Sequence, residues 1–291
     1  DRVRSFLKIQ DGCDYPCTYC TIPKARGQSR SDSISNILKN IKILEKNNIS
    51  EVVLTGVNIG DYGRVSSQAS LLDLINEIEE KSKITRYRIS SIEPNLLSNQ
   101  IIEFIKNSNK FLPHFHIPLQ SGNDKILKLM KRKYNTRMYK EKIELIRSAM
   151  PNACIGLDII VGFPNESEED FLKTFEFIDN LDINYLHVFS YSNRSDTVSS
   201  KMKNQILADK KITRSRSLHK LSDIKRFNFY KSNIGKIKKV LLESELEDGY
   251  LVGFSDNYIR VKVKGDKNLL NKIFNVKLLF IEDDKVIGEI N

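Results

Sequence analysis

The chain has 291 residues, enough for one large core and a small second unit, with 40% apolar and 9% aromatic residues. No stretch reaches the roughly 18–20 apolar residues of a membrane span, and Asp1-Arg-Val-Arg-Ser5 holds no apolar leader segment, so a cytoplasmic protein is expected. The net charge of +10 is uneven: residues 233–291 are neutral, while 201–231 carry ten basic residues against two acidic and 124–147 carry nine against three. Basic stretches on helices suit a polyanion such as nucleic acid, although a solvated lysine-rich face reads the same way.

Residues 5–10 alternate at period two and predict a first strand. Directly after it come three thiols in eight residues, Cys13-Asp-Tyr-Pro-Cys17-Thr-Tyr-Cys20. Four ligands complete a zinc site or an iron–sulfur cube, so three close thiolates leave one iron of a cube open, or oblige zinc to recruit a distant ligand. Cys154, the fourth cysteine, lies in an apolar strand and reads as a small hydrophobe. Lys24, Arg26 and Arg30 follow on a basic, glycine-interrupted loop.

Apolar spacing then predicts alternating helices and strands. A helix over 34–44 leads to a strand over 51–56 and the turn-rich Val57–Gly63. A helix over 71–78, a strand over 87–92 and a helix from a Ser98 cap to 105 follow. Next come a strand over 113–117, helices over 124–130 and 136–149, and a strand over 154–161. The alternation closes with a helix around 171–178, a strand over 184–190 and a long basic helix over 205–232. Six such repeats predict an α/β fold, a partial (β/α)6 barrel with its site at the strand C-termini. A flavodoxin-like sheet is the alternative, but no G-x-x-x-x-G-K-[ST] loop supports it. Beyond 232, strands over 238–243, 250–254, 258–263, 273–281 and 285–289, with turns at Asp248-Gly, Ser255-Asp and Gly265-Asp, predict a small β-barrel. Two domains are therefore expected, 1–232 and 233–291.

The cysteine spacing, with Tyr19 as C-x3-C-x-aromatic-C, resembles the signature of the radical S-adenosylmethionine (SAM) enzymes. Phe6–Cys13, Thr55–Gly63, Ser90–Pro94, His116–Gly122, Asp158–Pro164 and Val188–Ser192 further resemble the methylthiotransferase branch, and the C-terminal module looks like its TRAM domain. The resemblance implies that Cys13, Cys17 and Cys20 hold a [4Fe–4S] cluster whose fourth iron binds SAM. It implies that Tyr19, Gly56, Asn58, Ser91, Glu93, Gln120 and Asp158 line the SAM pocket. One electron from a donor such as flavodoxin or ferredoxin would then cleave SAM to a 5′-deoxyadenosyl radical.

Among subfamilies the loops look most like the type that methylthiolates N6-threonylcarbamoyladenosine at position 37, in the anticodon loop of tRNA. The types acting on isopentenyladenosine-37 or on a ribosomal protein are alternatives, as is a non-catalytic RNA-binding metalloprotein. The family's N-terminal domain, with its own cysteines, is not in these residues, so a second, auxiliary [4Fe–4S] cluster is expected only in a longer chain. This chain is accordingly expected to cleave SAM without methylthiolating tRNA. Lys24, Arg26, Arg30, Lys210, Lys211, Arg214 and Arg216 are the expected RNA contacts.

Overall fold

The computed structural model describes residues 3–64, 69–246 and 249–291, so the expected turn at Asp248 lies outside the described residues. The first half of the chain forms β1 (Arg4–Lys8), β2 (Gln10–Asp11), α1 (Ile22–Arg26), β3 (Arg30–Ser31) and α2 (Ile34–Lys46), then β4 (Glu51–Thr55) and α3 (Leu71–Lys81). It continues with β5 (Arg86–Ile89), α4 (Asn99–Asn107), β6 (His114–His116), α5 (Asp124–Leu129) and α6 (Thr136–Ala149). Next are β7 (Cys154–Val161), α7 (Glu168–Asp179), β8 (Tyr185–Ser190) and the long α8 (Ala208–Lys231). The last five strands are β9 (Ile237–Glu245), β10 (Tyr250–Ser255), β11 (Arg260–Lys264), β12 (Ile273–Glu282) and β13 (Lys285–Ile290).

Side-chain caps set several helix starts. Ser70 with Asp73 and Ser167 with Asp170 form reciprocal capping boxes, and Ser33, Ser98 and Asn135 cap α2, α4 and α6. Each such cap stabilises its helix by about 1 kcal/mol. The apolar faces of these helices, including Ile37, Ile41, Leu74, Ile78, Ile101, Ile105, Tyr139 and Ile143, bury against the outer face of the parallel strands. β1, β4 and β5 form one parallel sheet and β6, β7 and β8 another. A parallel bridge between Tyr87 and Phe111, and Ile92 N–H donating to His116 O at 3.0 Å, join β5 to β6. Six parallel strands therefore curve in chain order. Among the described residues β1 and β8 do not pair, which leaves the barrel open along one side.

Successive strand residues face opposite sides. The outward positions are apolar, while the lumen receives Arg4, Phe6, Val53, Arg88, His114, His116, Asp158, Tyr185 and His187. The lower lumen is thus polar.

β9 to β13 close into a five-stranded barrel around Leu242, Leu251, Val261, Val263, Val276, Leu278 and Val286. This barrel sits under the N-terminal ends of the parallel strands. Arg86 donates to the carbonyl oxygens of Lys239 and Phe254, both at 3.1 Å, and Arg88 to those of Ser255 at 2.7 Å and Asp256 at 3.0 Å. The carboxylate of Glu51, fully buried, pairs with Arg4, Arg86 and Arg88 at 2.9, 2.8 and 2.9 Å. Burial acts to raise the Glu51 pKa, but Arg88, Arg86 and Arg4 outweigh it and hold the carboxyl at about 2. Tyr258, with φ of 65°, stacks on His114 at 3.9 Å between ring centroids and closes the lumen from below.

Two features depart from the expected local structure. The segment read as a basic loop, Lys24–Arg30, begins as α1, with Pro23 at the helix start where its missing N–H costs nothing. β2 and β3 pair as an antiparallel ribbon beside the cysteine loop, too short to leave a periodic signal.

Candidate radical and iron–sulfur site

The ribbon of β2 and β3 fixes where the cysteine loop leaves the barrel. Gly12 lies at φ 72°, and a Cβ there would fall 1.9 Å from Gln28 O, so only glycine admits the close approach. Gln10, buried in β2 just past the end of β1, donates to Gly12 O at 2.7 Å and Ser29 Oγ at 3.0 Å and accepts from Asn58 N–H at 2.8 Å. One side chain thereby ties the cysteine loop to the loop leaving β4.

All three loop thiols are free and half-buried, and each receives one N–H. Tyr15 N–H donates to Cys13 Sγ at 3.4 Å, Ile22 N–H to Cys20 Sγ at 3.4 Å and Arg132 Nη1 to Cys17 Sγ at 3.1 Å. Burial and neighbouring negative charge raise the Cys13 thiol; for Cys17, burial raises it against the opposing charge of Arg132. Both favour the neutral thiol until a metal deprotonates them. Three spaced thiols with three donors to sulfur fit an iron–sulfur cube.

Arg132 is the residue that the sequence did not single out. It lies in the basic run 124–147, yet its side chain is only 4% exposed. Its guanidinium pairs with Glu93, donates to Tyr19 Oη at 3.2 Å and lies 5.1 Å from the Tyr134 ring centroid. Only its place in the turn after α5 separated it from solvated lysines, and that signal is weak.

The other expected pocket residues divide. Tyr19 is half-buried beside the thiols and meets Phe163 edge-on at 6.3 Å. Glu93 reaches the same place through Arg132. Asn58 is 5% exposed, and its side-chain amide has no hydrogen-bond partner, an orphan that a bound polar ligand would satisfy. Gly56 makes room: a Cβ there would stand 2.8 Å from Gln10 Oε1. Gln120, at φ 67°, bridges to Ile159 through its backbone. Ser91 and Asp158 lie lower, on the wall of a lumen cavity of about 240 Å³. Asp158 accepts from His116 Nε2 at 2.8 Å and lies 3.3 Å from His187 Nδ1. Although burial opposes it, hydrogen bonding to these imidazoles holds the carboxyl well below the usual range.

The basic residues need one correction. Arg214 is 3% exposed and pairs with Glu166 at 2.7 Å and Glu168 at 2.9 Å, so its charge is spent inside the fold. Lys211 lays its stem on Gly162 and donates to Tyr191 O at 3.0 Å. Together they clamp the loop leaving β7. Arg30 is tied to Asp11 at 2.8 Å, and Lys24 donates to Asp196 O at 2.8 Å. Arg26, Lys210 and Arg216 stand exposed.

An open parallel barrel with three thiols on the loop leaving its first strand is the layout of an enzyme that carries an iron–sulfur cluster at its mouth. Residues 7–178 match the family profile of the radical SAM superfamily. The chain belongs to the radical SAM superfamily. It is 36% identical to the threonylcarbamoyladenosine tRNA methylthiotransferase MtaB of Bacillus subtilis over 96% of this chain, and 39% identical to the MtaB of Aquifex aeolicus over 92%. It is 35% identical over 99% of its length to a tRNA-2-methylthio-N(6)-dimethylallyladenosine synthase of Lachnoclostridium phytofermentans. The chain spans 63%, 64% and 64% of the lengths of these three relatives.

Solved structures share the fold alone. Coproporphyrinogen III oxidase of Escherichia coli superposes with a TM-score of 0.56 at 11% identity, over 95% of this chain and 67% of that one. The radical SAM methyltransferase TsrM of Kitasatospora setae gives 0.57 at 14% identity, over 67% and 38%. No helix among the described residues is long and apolar enough to cross a membrane.

Proposed function

We propose that this chain supplies the radical-generating core and an RNA-gripping module of a tRNA methylthiotransferase acting on N6-threonylcarbamoyladenosine at position 37. Residues 1–232 form the core and 233–291 the module. The observation that carries the reading is the Cys13–Cys20 loop, three donor-supported thiols at the mouth of an open barrel with a polar lumen beneath. Similarity to the two MtaB proteins supports the choice of base.

Cys13, Cys17 and Cys20 would hold the cluster. When bound, cluster and SAM supply a carbon radical able to take hydrogen from an unactivated carbon such as C2 of adenine. Arg132 offsets negative charge at Cys17 and opposes the burial that raises the Glu93 carboxyl beside the site. Gln10 and Asn58 order the rim, and Tyr19 with Phe163 shields one side from water. A stacked anticodon base must be splayed out to enter such a lumen, which suits basic residues gripping the phosphate backbone around it.

Anaerobic reconstitution with iron and sulfide, followed by reduction with SAM present, tests the core, with 5′-deoxyadenosine as the expected product. Its absence would favour a non-catalytic RNA-binding metalloprotein. The nucleosides of tRNA from a deletion strain test the substrate: loss of the methylthiolated threonylcarbamoyl nucleoside supports the reading. Loss of the methylthiolated prenyl nucleoside instead, or no tRNA change, would replace it with the prenyl or the ribosomal-protein reading.

A further inference from the structure

Thr18 stands between Cys17 and Tyr19, and nothing in the cysteine spacing gives it a task. It is 2% exposed, and the hydrogen bonds of its hydroxyl, N–H and carbonyl all leave the cysteine loop. The hydroxyl donates to Leu129 O at 2.9 Å and the N–H to Met130 O at 3.2 Å, while the carbonyl accepts from Ser199 N–H at 2.9 Å. Leu129 ends α5, and the last carbonyls of a helix have no partner within it. Lys131, at φ 57°, turns the chain away, and Arg132 N–H donates back to Leu127 O at 3.0 Å. Thr18 therefore caps α5 from a distant part of the chain, and the turn it caps is the one that carries Arg132. The other anchor is equally fixed. Ser199, on the loop leaving β8, is fully buried and its Oγ accepts from Tyr191 Oη at 2.9 Å.

These contacts close a ring. Arg132 Nη1 lies 3.1 Å from Cys17 Sγ, and the way back runs through Lys131, the α5 carbonyls and Thr18 to Cys17 itself. The guanidinium is held independently, by Glu93 and by Tyr134 Oη at 3.1 Å. What sets the sulfur is the loop backbone, where Cys20 N–H donates to Cys17 O at 3.1 Å and Thr18 supplies the adjacent anchors to the rest of the fold. A hydrogen bond to sulfur and a charge beside it both weaken with distance, and both tune a cluster's potential. We propose that Thr18 is a positioning residue: by capping α5 it fixes Cys17 Sγ against the Arg132 guanidinium, and so sets the reduction potential of the cluster held by the three thiols. The inference rests on the cluster reading given above.

The test measures the cluster potential, by redox titration with electron paramagnetic resonance, in the reconstituted chain and four variants. Thr18→Val keeps the side chain's shape and removes its hydroxyl, whereas Thr18→Ser keeps the hydroxyl. Thr18→Val should lower the potential, by less than Arg132→Leu does, and Thr18→Ser should hold the parent value. Added to Arg132→Leu, Thr18→Val should shift the potential no further, because the contact it positions is already gone. The parent potential or a higher one in Thr18→Val, with or without a fall in melting temperature, leaves Thr18 a structural cap. That result overturns the proposal while the cluster reading stands. Equal shifts by Thr18→Val in the parent and Arg132→Leu backgrounds overturn it too, since Thr18 would then act by another route. So does a shift in Thr18→Ser as large as in Thr18→Val. A parent chain that takes up no iron and sulfide overturns both readings. Thr18→Ala carries the same comparison if valine keeps the chain from folding.

Discussion

Cys17 and Cys154 are the same chemical group in opposite settings. Cys17 faces a guanidinium and two further thiols, whereas Cys154 is 2% exposed in β7 and burial pushes its thiol up to about 12. Cys154→Ala should therefore keep the iron and sulfide content of the reconstituted chain and cost about 1 kcal/mol of stability. Cys17→Ala should lose the brown chromophore, and an unchanged iron content there would sink the ligand assignment. Arg132 acts on the same sulfur. Removing its charge and its N–H with Arg132→Leu should lower the cluster's reduction potential, because both favour the reduced, more negative state. Redox titration followed by electron paramagnetic resonance reads the shift, and a potential that stays or rises would remove Arg132 from that role.

Helix α8 shows how one element divides its charges. Arg214 faces inward to Glu166, whose other contact is Gly162 N–H at 2.6 Å, and so holds the loop leaving β7. Lys210 and Arg216 face solvent. Arg214→Ala should cost about 3–5 kcal/mol by stranding a buried carboxylate, read as a fall in melting temperature with no change in the salt dependence of RNA binding. Lys210→Ala with Arg216→Ala should do the reverse, flattening the slope of log K against log salt by about one unit per lost phosphate contact. An unchanged slope in that pair would show that α8 does not grip RNA.

The same helix marks where the sequence stopped being informative. Its basic run was plain, but which side of the helix packs depends on β8 and the β7 exit loop, distant in sequence. The six repeats were legible because apolar outward positions recur beside capped helices, and the cysteines because their spacing is compact. The triad of His116, Asp158 and His187 was not legible. Its members sit on three strands and meet only when the sheet curves; the resemblance offered Asp158 as a SAM-pocket residue, and neither histidine was offered as a site residue.

At the scale of the molecule, Glu51 with its three arginines joins the two barrels. Its carboxyl is held at about 2, below the ordinary value of 4.5, so the stabilisation is present above about pH 4.5 and lost as pH falls toward 2. The shift corresponds to about 3 kcal/mol. Calorimetry should show one unfolding transition for both barrels at pH 7. Glu51→Gln, which leaves three arginines facing one another, should lower that transition and flatten its decline in acid. Two separate transitions in the parent chain would show that the joint does not couple the barrels.

Tyr258 gives that joint a further meaning. It belongs to the small barrel by sequence and to the lumen by position, stacked on His114. If the small barrel holds RNA, the span from its grip to the lumen is set by the protein, as with the fixed jaw of a gauge. Which nucleotide reaches the thiols would then be chosen by distance along the strand, without reading its neighbours.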